Sequence, residues 1–364
     1  MPNVGIIGSG NIGRELYRRL TDKSPEKWGV DCVIDVDGVY SDVRNVVQTT
    51  SLRASYISDH PKNPTNKQED FFDITKQKKV DEIRNYENYL GGLDLMFLAI
   101  PTFDDGKTAF DYINSCLKRD IPVVTCEKGA LGNYFPELEP RIRKGQIGYS
   151  ATVGGGSRLL RYLEERVNPE VEEVHAIING TLNYIFDGLS KGRSLGEVVD
   201  ETRRLGYAEP GAGHPLDIVN KEATGDVPLK TAILFNVCNL TNVKMKAKDV
   251  SLYHIKPDEL NRLVKEAVNR RYIVSITKSR NGEEEVIWGF KHDIGGWHIS
   301  AGFKHIESNP LFKKLIPGGV DNAVLISEGP FGKDGSYIVS GPGAGASPTT
   351  ASMILDAEKI LRAK

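Results

Sequence analysis

The chain lacks most of the features that would tie it to a membrane, a nucleic acid or a metal. No run of 18 or more apolar residues occurs in its 364 residues, so no membrane-spanning helix is expected. Neither sign of charge is in excess: 47 Lys and Arg stand against 49 Asp and Glu, a formal net charge of −2. So weak a field does not recruit DNA, RNA or an acidic membrane surface, and none of these is expected as a partner. Cysteine is scarce. Cys32, Cys116, Cys126 and Cys238 are far apart and form no C-x-x-C pair, which argues against a zinc site or a disulfide framework. Repeats and low-complexity segments are absent, and MPNVGIIGSG opens directly on a strand with no basic leader, so a cytoplasmic location is expected.

What is present is ordinary globular composition, with 39% hydrophobic and 26% charged residues. The length is too great for one compact core. The expected division is a dinucleotide-binding domain over residues 1–150, a second domain over 151–338, and a C-terminal helical segment, 339–364, returning to the first domain. The fold class expected is α/β: a Rossmann-type doubly wound domain followed by an α+β domain with a mixed sheet.

The first domain announces itself at once. Val4–Ile7 is an apolar strand, Gly8-Ser9-Gly10-Asn11-Ile12-Gly13 follows, and a helix begins at Arg14. In such a strand–GxGxxG–helix unit Gly8 permits the tight turn and Gly10 lets the backbone approach a pyrophosphate. Gly13 allows close packing of helix on strand, and Asn11 and Ile12 lie at the amide-rich helix start. Asp35 and Asp37 end the next strand, where an acid bonds the adenosine ribose hydroxyls. That acid leans towards NAD, whereas Arg44 nearby would suit NADP; both remain open. The apolar run Leu93–Ile100 reads as a buried parallel strand and delivers Pro101 and Thr102 to the nicotinamide end of the cofactor. The strand Ile121–Cys126 delivers Glu127-Lys128-Gly129 at its carboxyl end, where open α/β sheets bind ligands, so Lys128 is a candidate for holding substrate.

A strand at 148–153 runs into Gly154-Gly155-Gly156-Ser157, and another from Val174 into Asn179-Gly180-Thr181-Leu182-Asn183-Tyr184-Ile185. His175 in that strand reads as a core or interface residue. Residues 270–335 alternate in strand fashion, and Ser340-Gly341-Pro342-Gly343-Ala344-Gly345 precedes a last helix.

The densest chemistry lies in GYAEPGAGHPLDIVNKEATGDVPLKTAIL, from Gly206 to Leu234. A segment so rich in unlike charges is costly to order unless they meet one another or a ligand. Asp217 with Lys221, and Asp226 with Lys230, are each four apart and so share a helical face. The two pairs are nine residues apart and fall on opposite faces of a continuous helix. Pro228 suits only a first turn, so a helix starting near Asp226 is expected. A lysine beside a carboxylate in a closed cleft can serve as a general acid–base, with the carboxylate positioning it.

The order of these pieces resembles the homoserine dehydrogenase family over nearly the full length. GSGNIG, VVTCEKGAL, ATVGGG, NGTLNYI, GYAEP, DVPLKTAIL, DNAV and SGPGAG follow one another as they do there. The resemblance implies interconversion of L-homoserine and aspartate 4-semialdehyde with NAD or NADP, on the route to threonine, methionine and isoleucine. It implies Lys230 as acid–base, Asp226 as its partner, and Lys128 near the reacting oxygen and the cofactor. Glu209 and Asp217 would hold the substrate ammonium, with Gly180, Thr181 and Tyr207 shaping the pocket. Gly341 and Gly343 would lie against the cofactor. A monovalent cation such as sodium would rest on Val153, Gly155 and Ser157, and a homodimer would form through the second domain.

Three features depart from the family pattern. The segment after Glu209 is longer than usual, so Lys221 competes with Lys230 for the catalytic role; the apolar helix after Asp226 favours Lys230. Ser150 stands where an acid commonly precedes the ATVG turn. The chain stops at Lys364, so no regulatory ACT domain is expected. The rival readings are another amino-acid dehydrogenase on the same plan, or a dinucleotide-sensing protein without activity.

Overall fold

The computed structural model describes residues 1–21, 28–41, 79–205, 207, 213–278 and 286–363. The chain divides into two compact units. One comprises Met1–Glu127, Leu138–Ala151 and Thr349–Lys364, the other Lys128–Glu137 and Thr152–Pro348.

The first unit is built on a seven-stranded sheet. Its strands are β1 (Asn3–Ile7), β2 (Gly29–Asp35), β3 (Gly38–Ser41), β4 (Lys79–Asp81), β5 (Leu95–Leu98), β6 (Val123–Thr125) and β7 (Ile147–Gly148), in the spatial order β4-β3-β2-β1-β5-β6-β7. β2, β1, β5, β6 and β7 are parallel, and β5 and β6 are buried along their whole length, as parallel strands covered on both faces must be. Chain order reverses between β1 and β5, the switch point where Rossmann sheets take their ligand. Helix α1 (Asn11–Thr21) supplies Leu16 and Leu20 to a core with Val4, Ile6, Val33 and Phe97, and the C-terminal helix (Ala346–Arg362) adds Met353, Ala357 and Ile360.

One feature of this sheet is not signalled by the alternation of strand and helix. β2 is followed by a two-residue turn, Val36-Asp37, and β3 returns antiparallel with Asp35 opposite Gly38. The strand expected at 148–153 also shortens to Ile147–Gly148, with turns from Ser150 onwards that include Gly154 and Gly155 at φ of 77° and 49°. Ser150 itself is held by the C-terminal helix: its N–H and Oγ–H donate to Asp356 Oδ2 and Oδ1, each at 2.8 Å.

The second unit carries a six-stranded sheet ordered β10-β11-β9-β8-β12-β13. The strands are β8 (Val171–Ile177), β9 (Arg270–Thr277), β10 (Ile287–Ile294), β11 (Trp297–His305), β12 (Asp321–Glu328) and β13 (Gly335–Pro342). A mixed sheet is expected from the sequence, but every ladder among the described residues is antiparallel. Edge strand β10 shows the reason, since buried and more exposed residues alternate along much of it, and a sheet with one wetter face suits antiparallel pairing. His175 is a core residue, fully buried on β8 with Glu173 Oε2 and Ser275 Oγ each 2.8 Å from its ring nitrogens.

Candidate active site

The helices of the second unit place the charged residues. After α2 (Lys107–Leu117) of the first unit come α3 (Gly129–Arg143), whose first part belongs to the second unit, α4 (Leu159–Arg166), α5 (Gly180–Ser190), α6 (Leu195–Arg204), α7 (Pro215–Lys221) and α8 (Val227–Cys238). Between α7 and α8 the chain does not break. Residues Glu222–Asp226 form a π-helical turn, and the Val227 N–H reaches back five residues to the Glu222 carbonyl. The helix expected to start near Asp226 therefore starts at Pro215. The wider turn changes the register just ahead of Pro228, and such single π turns are common at functional sites.

This register determines which charges meet. Asp226 Oδ2 lies 2.7 Å from Lys230 Nζ, and its Oδ1 lies 3.0 Å from Lys128 Nζ. Lys230 also donates to the Ile178 carbonyl at 2.8 Å, so two of its three N–H donors are committed. Lys128 stands at the entry to α3. There Gly132 packs so closely on α8 that a Cβ would sit 3.2 Å from Leu229 Cα, which fixes α3 against the helix that carries Asp226. Asn179 ties the cluster together. Its Oδ1 caps α5 by accepting the Leu182 N–H at 2.7 Å, while its Nδ2 donates to Glu222 Oε2 at 2.6 Å and Asp226 Oδ2 at 2.9 Å.

The two carboxylates respond oppositely. Burial works to raise the Asp226 carboxyl, but the ammonium groups of Lys128 and Lys230 outweigh it and hold the group far below the usual carboxylate range. Burial and then the charge of Asp226 push Glu222 above that range, and Asn179, Lys230 and Lys128 counter this only in part. Asp226 is thus a fixed anion between two cations.

The sequence candidates separate accordingly. Lys230, Asp226 and Lys128 are brought together, with Lys230 buried, whereas Lys221 is exposed. Thr181 donates its hydroxyl to the Tyr207 carbonyl at 2.7 Å, beside Gly180 at the start of α5. Asp217, expected at the substrate ammonium, does not join this network. It is exposed and caps α7, accepting the His214 N–H at 2.8 Å, because His-Pro-Leu-Asp sets a cap, a proline and an acid in the first turn. Glu209 and Arg44 lie outside the described residues. Gly341 and Gly343 allow close approach: a Cβ on Gly343 would lie 2.0 Å from Asn322 Oδ1, and one on Gly341 3.2 Å from Ser157 Cβ. Asn179 and Glu222 are the residues that sequence reasoning left out. An Asn directly before Gly-Thr at a helix start is a cap signal; nothing local marks Glu222.

In the first unit the dinucleotide loop has the geometry its glycines require. Gly8 has φ of 98°, and a Cβ on Gly13 would lie 1.9 Å from the Gly8 carbonyl oxygen. Around Gly10 a Cβ would meet nothing within 4 Å, leaving the helix start open to a phosphate. The Ser9 N–H donates to Asp35 Oδ2 at 2.6 Å and the Val36 N–H to Oδ1 at 2.7 Å, which locks that carboxylate beside the loop. Asp37 is exposed in the turn, Pro101 and Thr102 follow β5, and Thr102 Oγ1 donates to Glu127 Oε1 at 2.5 Å.

The homoserine dehydrogenase family model matches residues 160–357, more than half of the chain. The chain belongs to the homoserine dehydrogenase family. It is 24% identical over 374 residues to the homoserine dehydrogenase of Pyrococcus horikoshii, covering 97% of this chain and 95% of that protein. It is 26% identical over 259 residues to an NAD(+)-dependent homoserine dehydrogenase of Pseudomonas canavaninivorans, covering 69% of this chain and 66% of that one. Among solved structures, a hyperthermophilic archaeal homoserine dehydrogenase in complex with NADPH has the same fold, with a TM-score of 0.64 at 19% identity over 100% of this chain and 98% of that one. The cofactors named for the last two of these relatives are NAD(+) and NADPH respectively. None of the helices among the described residues is long and apolar enough to cross a membrane.

Proposed function

We propose that this chain interconverts L-homoserine and L-aspartate 4-semialdehyde with Lys230 as the proton-transferring group. The observation that carries this reading is the buried contact of Lys230 with an Asp226 carboxylate held ionised from both sides. The bound dinucleotide supplies or accepts the hydride at the substrate C4 carbon. In reduction, Lys230 Nζ gives a proton to the oxygen that becomes the alcohol; in oxidation it takes that proton back. Asp226 and the Ile178 carbonyl hold two of the ammonium hydrogens and aim the third. Lys128, on the far oxygen of Asp226 and partly exposed, is assigned to polarise the same substrate oxygen. Gly180, Thr181 and Tyr207 shape the pocket at the start of α5, where backbone amides favour the substrate carboxylate.

The cofactor residues proposed are Gly8, Gly10, Asn11, Ile12, Gly13 and Asp35, all in the first unit. The locked Asp35 carboxylate and exposed Asp37 favour NADH over NADPH, because a 2′-phosphate would bring like charge to them. A monovalent cation on the backbone oxygens of Val153, Gly155 and Ser157, a homodimer formed through the second unit, and a cytoplasmic location complete the proposal. The deciding experiment pairs homoserine oxidation with cofactor binding. Lys230→Ala should lose turnover and keep NADH affinity; a sensing protein would have no homoserine turnover to lose.

A further inference from the structure

The carboxyl ends of β5 and β6 are joined by a side-chain pair, Thr102 with Glu127. Thr102 is exposed just past β5, and its hydroxyl donates to Glu127 Oε1 at 2.5 Å. Glu127 is only 2% exposed and is anchored from behind. Its N–H donates to Thr125 Oγ1 at 2.9 Å, and the Thr125 hydroxyl donates in turn to the Leu98 carbonyl of β5 at 3.2 Å. Past Thr102 the chain turns at once, with the Gly106 N–H on the Phe103 carbonyl at 2.7 Å and Gly106 at φ of 89°. Both members of the pair are thus held in place.

The direction of their bond decides what Thr102 can offer a ligand. A threonine hydroxyl has one proton, and a carboxylate only accepts. With that proton committed to Glu127, Thr102 Oγ1 presents lone pairs alone at an exposed position. Such an oxygen suits a ligand group that donates and disfavours one that can only accept. A dinucleotide on the glycine loop after β1 runs its nicotinamide half towards the end of β5, the neighbouring parallel strand. Nicotinamide carries a carboxamide, whose –NH2 donates; its acid counterpart carries a carboxylate, which does not.

We propose that Glu127 is a positioning residue: it makes Thr102 an acceptor for the carboxamide –NH2 of the nicotinamide, and so selects an amide over an acid there. The assignment rests on the cofactor binding proposed above. Glu127 acts through the Thr102 proton, and its own negative charge works against a second carboxylate beside it.

Titration calorimetry of the full chain tests this with NAD, nicotinic acid adenine dinucleotide and 3-acetylpyridine adenine dinucleotide. The second compound replaces the carboxamide by a carboxylate, and the third replaces its –NH2 by a methyl group. The wild-type chain should bind NAD about 100-fold more tightly than the acid and about 10-fold more tightly than the acetyl compound. The side-chain amide in Glu127→Gln can donate as well as accept, which releases the Thr102 proton to meet a carboxylate. The preference for NAD over the acid should then fall to about 10-fold or less, a change of ratio that mere structural damage would not give. Thr102→Val keeps the shape and removes the hydroxyl. It should weaken NAD by about 10-fold and leave the acetyl compound within about 2-fold of wild type. An unaltered preference for NAD over the acid in Glu127→Gln would overturn the assignment while leaving the cofactor in place. Equal weakening of NAD and the acetyl compound by Thr102→Val would overturn it too. Failure of the wild-type chain to bind NAD would overturn the cofactor reading itself, and the assignment with it.

Discussion

The Val227 N–H donates to the carbonyl of Glu222, five residues back instead of four. This one bond makes the turn that lets Pro228 sit in a continuous helix and aligns Glu222 with Asn179. Deleting Thr224 would restore ordinary α register and rotate everything ahead of it by about 100°. Glu222 would leave Asn179, which caps the helix at the proposed pocket, while Asp226 and Lys230 keep their spacing. The expected result is a rise in homoserine KM of about 10-fold or more with a smaller fall in kcat, read from steady-state kinetics.

Glu222→Gln should stabilise the fold at neutral pH. Its carboxyl is raised in the folded chain, so the folded state holds a proton that the unfolded state has already lost. The resulting cost appears as pH rises out of the ordinary carboxylate range and through the raised value. At pH 8 the variant should melt about 1–3 °C higher than the wild-type chain, and at pH 4, where both are neutral, the gain should vanish. Differential scanning calorimetry at the two pH values measures it.

Asp35→Ser removes the carboxylate that the Ser9 and Val36 amides hold and that is proposed to meet the ribose. Wild-type protein should bind NADH about 10-fold or more tightly than NADPH, and the variant should narrow or reverse that ratio. Quenching of protein fluorescence by each reduced cofactor gives both dissociation constants directly.

Gly13→Ala should abolish cofactor binding with little effect on the second unit. The added Cβ would lie 1.9 Å from the Gly8 carbonyl oxygen, so the glycine loop must open. NADH affinity should fall by at least about 100-fold. The near-ultraviolet signal of Trp288 and Trp297, both in the second unit, should persist.

What was legible in the sequence was local. The glycine loop is read within a single strand–turn–helix, and Asp35 at the end of the next strand, 26 residues on from the Ser9 N–H that it accepts. Asp226 and Lys230 are legible as a pair because four residues is one helical turn. The π turn was not legible: Pro228 reads as a helix start, and the extra residue per turn that accommodates it leaves no compositional mark. Glu222 was hidden for the same reason, since strict α periodicity from Asp217 counts past it. The cap formed by His214, Pro215 and Asp217 was readable, but the family likeness drew Asp217 towards the substrate instead. Strand direction in the second sheet depends on which distant strands pair, and β8 and β9 pair with some 100 residues between His175 and Ser275. Alternation along a strand says that one face is buried; it does not name the neighbour.

Lys230 is proposed to move the proton. Homoserine oxidation by wild-type protein and Lys230→Ala, followed through the absorbance of the reduced nicotinamide with NAD and with NADP, tests it most directly. The wild-type chain should turn homoserine over, and kcat should fall by about 100-fold or more in the variant, with NADH affinity unchanged. Comparable turnover by the two proteins would contradict it.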